Sequence, residues 1–151
     1  MGGDRRALGE GPVKAGDRFG PSSWIEITQE KIDAFAEATG DHQWIHVDPE
    51  RAAAGPFGTT IGHGYLTLSL IPVMSYEVLP HEEGGMGINY GVNRVRFPAP
   101  VPVGSRVRGT FRVETVEEAD WGSQSTLNVT IEREGGDKPV CVADVVFRHY
   151  R

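Results

Sequence analysis

The chain has a single cysteine, Cys141, so no internal disulfide framework can hold it together. That usage fits a reducing compartment. No segment approaches the roughly 20 apolar residues that a membrane span needs. Arg5 and Arg6 near the N-terminus are not followed by an apolar run, so no signal peptide is expected. From these absences a soluble, cytoplasmic protein is expected. Positive charge is also scarce. With 15 Lys and Arg against 21 Asp and Glu, the net charge is −6, which argues against nucleic acid and anionic membranes as partners. What is present is ordinary globular material: 151 residues, 38% hydrophobic and 24% charged, enough for one closed core and without internal repeats.

Residues 1–12, rich in Gly and charge, are expected to be poorly ordered, and residues 13–151 to form a single domain. "ITQEKIDAFAEATG" predicts an amphipathic helix, with Thr28 as N-cap and Gly40 as its stop. Ile32, Phe35, Ala36 and Thr39 recur there at helical spacing. One further helical turn is predicted near Pro49 to Ala54. From Gly64 to about Leu79 the sequence is apolar nearly all round, which predicts a core helix, kinked at Pro72. The second half alternates as strands do. Leu127, Val129 and Ile131 share one face, Val107, Phe111 and Val113 share another less regularly, and "PVCVADVVF" reads as a central strand. "FPAPVPVG" is too rich in proline for a sheet interior and must connect strands. A long apolar helix followed by antiparallel-type strands implies an α+β layout, a sheet wrapped around that helix.

The chemistry concentrates in "TGDHQWIHVD", residues 39–48. Asp41 and His46 lie five residues apart, a spacing that separates them on a helix or a strand, so they converge only if the segment bends. A carboxylate beside an imidazole can hold a water, deprotonate it and return a proton. Both sit in a polar loop, where losing either is expected to open no core cavity. The alternative is a solvated, inert loop. In "GHGYLTLSL", Gly62 and Gly64 flank His63 where the apolar helix begins. The first N–H groups of a helix lack internal partners and can hold developing negative charge, whereas a tight packing turn would use the same glycines. His42, His46 and Asp48 could be read as metal ligands, but Gly40 should already have ended the helix that would bring them together, and no metal is expected. Cys141, among apolar neighbours, reads as a buried small hydrophobe.

"FAEATGDHQWIHVDPERAAAGPFGTTIGHGYLTLSL" and "INYGVNRVRFPAPVPVGSRVRG" resemble the MaoC-like dehydratases and R-specific enoyl-CoA hydratases. The resemblance runs from about Gly16 to the C-terminus. The family pattern is Gly-Asp-x-Asn-Pro-x-His followed by a His-Gly at the central helix, and Gly40, Asp41, His46, His63 and Gly64 match it. Gln43 and Trp44 stand where the family has Asn and Pro, which brings the chain nearest the nodulation-protein-N-like branch. The resemblance implies a hot-dog fold, a homodimer, no cofactor and syn hydration of a trans-2-enoyl-CoA to a (3R)-3-hydroxyacyl-CoA in fatty acid metabolism. It implies that Asp41 and His46 are catalytic and that the Gly64 N–H forms an oxyanion hole. His63, Asn89 and Tyr90 are candidate substrate contacts. A hot-dog thioesterase and a non-catalytic hot-dog partner subunit are the rival readings.

Residues 86–113 hold Arg94, Arg96, Arg106, Arg108 and Arg112 and no acidic residue. In an acidic chain this window suggests a grip on the phosphates of coenzyme A, the alternative being the solvent faces of two strands.

Overall fold

The computed structural model describes residues 12–81 and 83–151. The expectation of a disordered N-terminus therefore lies, except for Pro12, outside the described residues.

Local signals set the first elements. Strands β1 (Arg18–Phe19) and β2 (Ile25–Glu26) lead to helix α1 (Gln29–Thr39). The Thr28 side chain accepts the Lys31 N–H at 3.2 Å, and Gly40, at φ +82°, sends its own N–H back to the Ala36 carbonyl. A left-handed residue at that place is what terminates a helix, and glycine adopts it without strain. Ile32 and Ala36 are buried from α1, and Phe35 packs partly against the same core. Two short helices follow, α2 (Trp44–Val47) and α3 (Pro49–Ala53), the second capped by the Asp48 carboxylate.

The predicted central helix is two helices. α4 (Gly64–Ser69) and α5 (Ile71–Val78) meet at Leu70. Pro72 lies in the first turn of α5, where its missing N–H would have had no helical partner. The expected apolar burial is also only half right. Leu66, Ile71, Met74 and Val78 are buried, but Tyr65 is 69% exposed and Tyr76 66% exposed, and Val73 is also exposed.

Four long strands complete the fold: β3 (Met86–Arg96), β4 (Arg106–Ala119), β5 (Gly122–Arg133) and β6 (Cys141–Tyr150). The sheet is antiparallel, in the order β1-β4-β5-β6-β3, with β2 also on β4. β6 is interior, as its two apolar faces predict, and the proline-rich 97–105 segment connects β3 to β4. Val107, Phe111 and Val113 do alternate inward, with Gly109 completing the row. A Cβ on Gly109 would lie 2.8 Å from the Met74 sulfur, so the missing side chain lets α5 seat on the sheet. Met74, Ile71 and Val78 meet Phe111, Leu127, Val129, Ile131 and Val145 in one core. This is the hot-dog arrangement of an antiparallel sheet on a central helical segment. No helix among the described residues is long and apolar enough to cross a membrane.

Candidate active site

Gly40 releases the chain from α1, and the next residues turn back on themselves. The Asp41 carboxylate accepts the Gln43 N–H at 3.3 Å, and α2 begins at Trp44. His46 therefore sits in a new helical turn, not in an extension of α1. Segment 60–62 then runs between two others. The Ile61 N–H reaches the Ile45 carbonyl at 3.0 Å, and the Gly62 N–H reaches the Val101 carbonyl at 2.8 Å. His63 follows as the N-cap of α4, with Gly64 as its first helical residue.

This path assembles the predicted pair. Donor atoms of Asp41, His46 and His63 all lie within 4.8 Å of one another. His46 is 7% exposed and Asp41 keeps its side chain 51% exposed, so the pair spans the boundary between core and solvent. His46 Nδ1 is 2.7 Å from the Ile61 carbonyl oxygen, an acceptor only. The proton must therefore sit on Nδ1, leaving the Nε2 lone pair free. Burial lowers the His46 pKa below 6.5, against the opposing pull of that carbonyl bond. Neutral imidazole is the form that accepts a proton. Gln29, from the first turn of α1, donates to the His46 carbonyl at 2.8 Å and accepts the Thr60 hydroxyl at 2.6 Å.

The near-total burial of His46 corrects one expectation. Truncating it to alanine would remove a packed ring and strand the Ile61 carbonyl, so the loss is not silent in the core.

His63 is 2% exposed, and its ring stacks on His46 with centroids 3.8 Å apart and planes 24° apart. It therefore presents almost no surface of its own to solvent. Gly64 is held bare by Phe97, whose ring would lie 2.8 Å from an added Cβ. Trp44, at the position that departs from the family pattern, packs over Gly55, where a Cβ would meet the indole at 2.9 Å. Arg51 covers the Trp44 ring at 4.4 Å.

The suggested His42–His46–Asp48 set does not come together. His42 faces Glu37 at 3.4 Å, and Asp48 caps α3. Among the described residues, Asp41, His46 and His63 are the compact donor set, two imidazoles and a carboxylate. Yet His46 Nδ1 and His63 Nε2 already face carbonyl oxygens, and near-parallel stacked rings aim their in-plane lone pairs side by side, not at one point. The geometry suits proton transfer better than cation binding.

The arginine window divides. Arg106 pairs with Glu134, Arg108 with Glu132 and Arg112 with Glu114, so glutamates of β4 and the β5 end offset the charge surplus seen in the sequence. Arg94 and Arg96 lie exposed on the edge strand β3. Tyr90 lies beneath the Arg148 guanidinium at 3.6 Å. Asn89 lines a cavity of about 710 Å³ at the far end of α5, with Ser75, Leu79, Phe147 and Arg148. Cys141 is buried, its thiol pushed up to about 11 by that burial.

The sequence model of the MaoC-like domain matches residues 12–136. The chain belongs to the MaoC-like family. It is 56% identical over 136 residues to 3-hydroxyacyl-thioester dehydratase Z of Mycobacterium tuberculosis, covering 89% of this chain and 90% of that protein. It is 46% identical over 144 residues to nodulation protein N of Rhizobium leguminosarum, covering 91% and 88%. Among solved structures, the (R)-hydratase of A. caviae involved in PHA biosynthesis superposes with a TM-score of 0.74 at 26% identity, covering 89% of this chain and 96% of that one. Within this MaoC-like family the resemblance to the nodulation-protein-N branch holds.

Proposed function

We propose that this MaoC-like chain is an (R)-specific enoyl-CoA hydratase, a hydro-lyase that adds water to a trans-2-enoyl thioester and runs reversibly. Relatives named as dehydratases and hydratases support the reaction class. One observation carries the residue assignment: His46 is buried with its Nδ1 proton committed to Ile61, and a ring nitrogen of His46 and a carboxylate oxygen of Asp41 lie within 4.8 Å of each other. A water held there gives one proton to the dyad while its oxygen bonds to C3. The C2–C3 π pair shifts to between C1 and C2 as the carbonyl π pair moves onto the thioester oxygen, giving an enolate that the Gly64 N–H stabilises. The dyad then returns a proton to C2, and a single dyad on one face of the substrate makes the addition syn.

The same reading includes a homodimer. Tyr65, Val73 and Tyr76 on the helices and Met86, Ile88, Tyr90 and Val92 on the edge strand β3 are all exposed large hydrophobics. An exposed apolar edge strand invites pairing with another chain.

Following crotonyl-CoA for loss of the enoyl absorbance and, in parallel, for free CoA tests the proposal. Hydration without CoA release supports it. CoA release without hydration makes the protein a thioesterase, and neither makes it a non-catalytic subunit. Activity is expected to survive exhaustive chelation, because the dyad needs no Lewis acid; loss restored by zinc or iron would reverse that.

With Arg106, Arg108 and Arg112 engaged by glutamates, Arg94 and Arg96 remain the candidates for the coenzyme A phosphates. Neutralising both is expected to raise KM for enoyl-CoA several-fold with little change in kcat, since a contact to the handle acts equally on ground and transition states. The effect should shrink with salt and disappear with a pantetheine thioester. An unchanged KM for the full CoA substrate places the phosphates elsewhere.

A further inference from the structure

The dyad poses a geometric problem: residues five apart on a bent loop must hold a fixed separation. Neither α1 nor α2 supplies that constraint alone, because Asp41 lies after the first and His46 inside the second. One side chain from a third element touches both. His63 Nε2 is 3.0 Å from the Asp41 backbone carbonyl and 4.0 Å from its carboxylate, while the His63 ring stacks on His46. Since a carbonyl oxygen only accepts, His63 carries its proton on Nε2 and donates it to Asp41. Phe35 of α1 closes the other side at 4.9 Å between centroids. Among the described residues the buried His63 Nδ1 has no hydrogen-bond partner, so this ring is kept at a polar cost that packing alone does not explain.

We infer that His63 is a positioning residue of the hydration reaction, tethering the Asp41 backbone and bracing the His46 ring so that the two groups share one water. The inference rests on the proposed roles of Asp41 and His46. Misplacing a reacting group by about 1 Å can cost about 100-fold in rate. The titratable groups that bear on His46 are His63, which lowers its pKa, and Asp41, which raises it.

His63→Phe keeps a flat ring against His46 but lacks the donor, and His63→Gln restores a donor that can reach the Asp41 carbonyl. With crotonyl-CoA, His63→Phe is expected to lower kcat about 10- to 100-fold with KM within about twofold, and His63→Gln to recover several-fold of that loss. A kcat within twofold of the parent overturns the inference. So does a raised KM at unchanged kcat, which would make His63 a substrate contact, or a lost rate with no recovery in His63→Gln, which would make it merely structural. Should His63→Phe fail to fold, nitrogen-15 NMR of the parent protein decides. A proton on His63 Nε2 and on His46 Nδ1 is required, and the opposite tautomer of His63 overturns the tether. If Asp41→Asn and His46→Asn abolish hydration and His63→Phe does not, this inference alone fails; if all three leave the rate intact, the dyad reading itself fails.

Discussion

Hydration of a short enoyl-CoA is expected to fall about 10²- to 10⁴-fold in Asp41→Asn, and by a similar factor in His46→Asn. Both replacements are chosen for what they keep. Asparagine at 41 retains an oxygen to accept the Gln43 N–H, and the half-exposed side chain opens no cavity. Asparagine at 46 places an N–H near the position of the imidazole Nδ1, so the Ile61 carbonyl stays paired; alanine would leave it buried without its partner at a cost of about 1–3 kcal/mol. Thermal melts of both variants close to the parent, together with the lost rate, separate chemistry from folding. More than about half the activity surviving in either variant removes that residue from the mechanism.

The pH dependence of the parent has the same origin. Because burial lowers the His46 pKa, the imidazole stays neutral below the usual 6.5, and the acid limb of kcat/KM should lie below that value. The unfolded chain takes up this proton first as pH falls through the ordinary imidazole range. Folding stability is therefore lost, not gained, as pH drops through that window.

How much of this was legible in the sequence depends on how far apart the interacting residues lie. Thr28 and Gly40 mark α1 because capping is decided within one turn. The inward rows of β4 and β5 follow from the twofold period of a strand. Pro72 announced a disturbance, though not that the helix would divide at Leu70. Periodicity could not distinguish an apolar helix face buried in this chain from one left exposed, so Tyr65, Val73 and Tyr76 were misjudged. The arginine window concealed its pairing for a related reason. Glu132 and Glu134 are remote in sequence from Arg108 and Arg106, and only the β4–β5 register sets them opposite. At the site, Asp41 and His46 were visible because ionisable groups crowd a short loop. Gln29 and the Ile61 carbonyl carried no signal, since one is an ordinary helix residue and the other is backbone. His63 stood out through its flanking glycines, but its place behind His46 comes from the path of segment 60–62 and not from spacing.

Gly64 offers the second large effect, and its position permits an unusually clean comparison. The proposed oxyanion donor is its backbone N–H, which no ordinary substitution removes. Proline does remove it, and the site accepts proline: Gly64 is the first residue of α4, and His63 before it has φ −62° and ψ 139°, the extended conformation a residue preceding proline adopts. Proline also brings a Cβ into the Phe97 ring, at 2.8 Å before any adjustment. Gly64→Ala brings the same Cβ and keeps the N–H, so comparing the two variants removes the Phe97 clash and leaves the lost donor together with the Cδ that takes its place. Loss of one oxyanion donor typically lowers kcat about 10²- to 10³-fold. Gly64→Pro is therefore expected to run at least about that much slower than Gly64→Ala in kcat, since the charge the N–H would hold develops in the transition state. Gly64→Ala itself should show a smaller loss, set by how far Phe97 can swing aside. Equal rates in the two variants would mean that the enolate oxygen is held by some other donor, and that Gly64 is bare only to make room for Phe97.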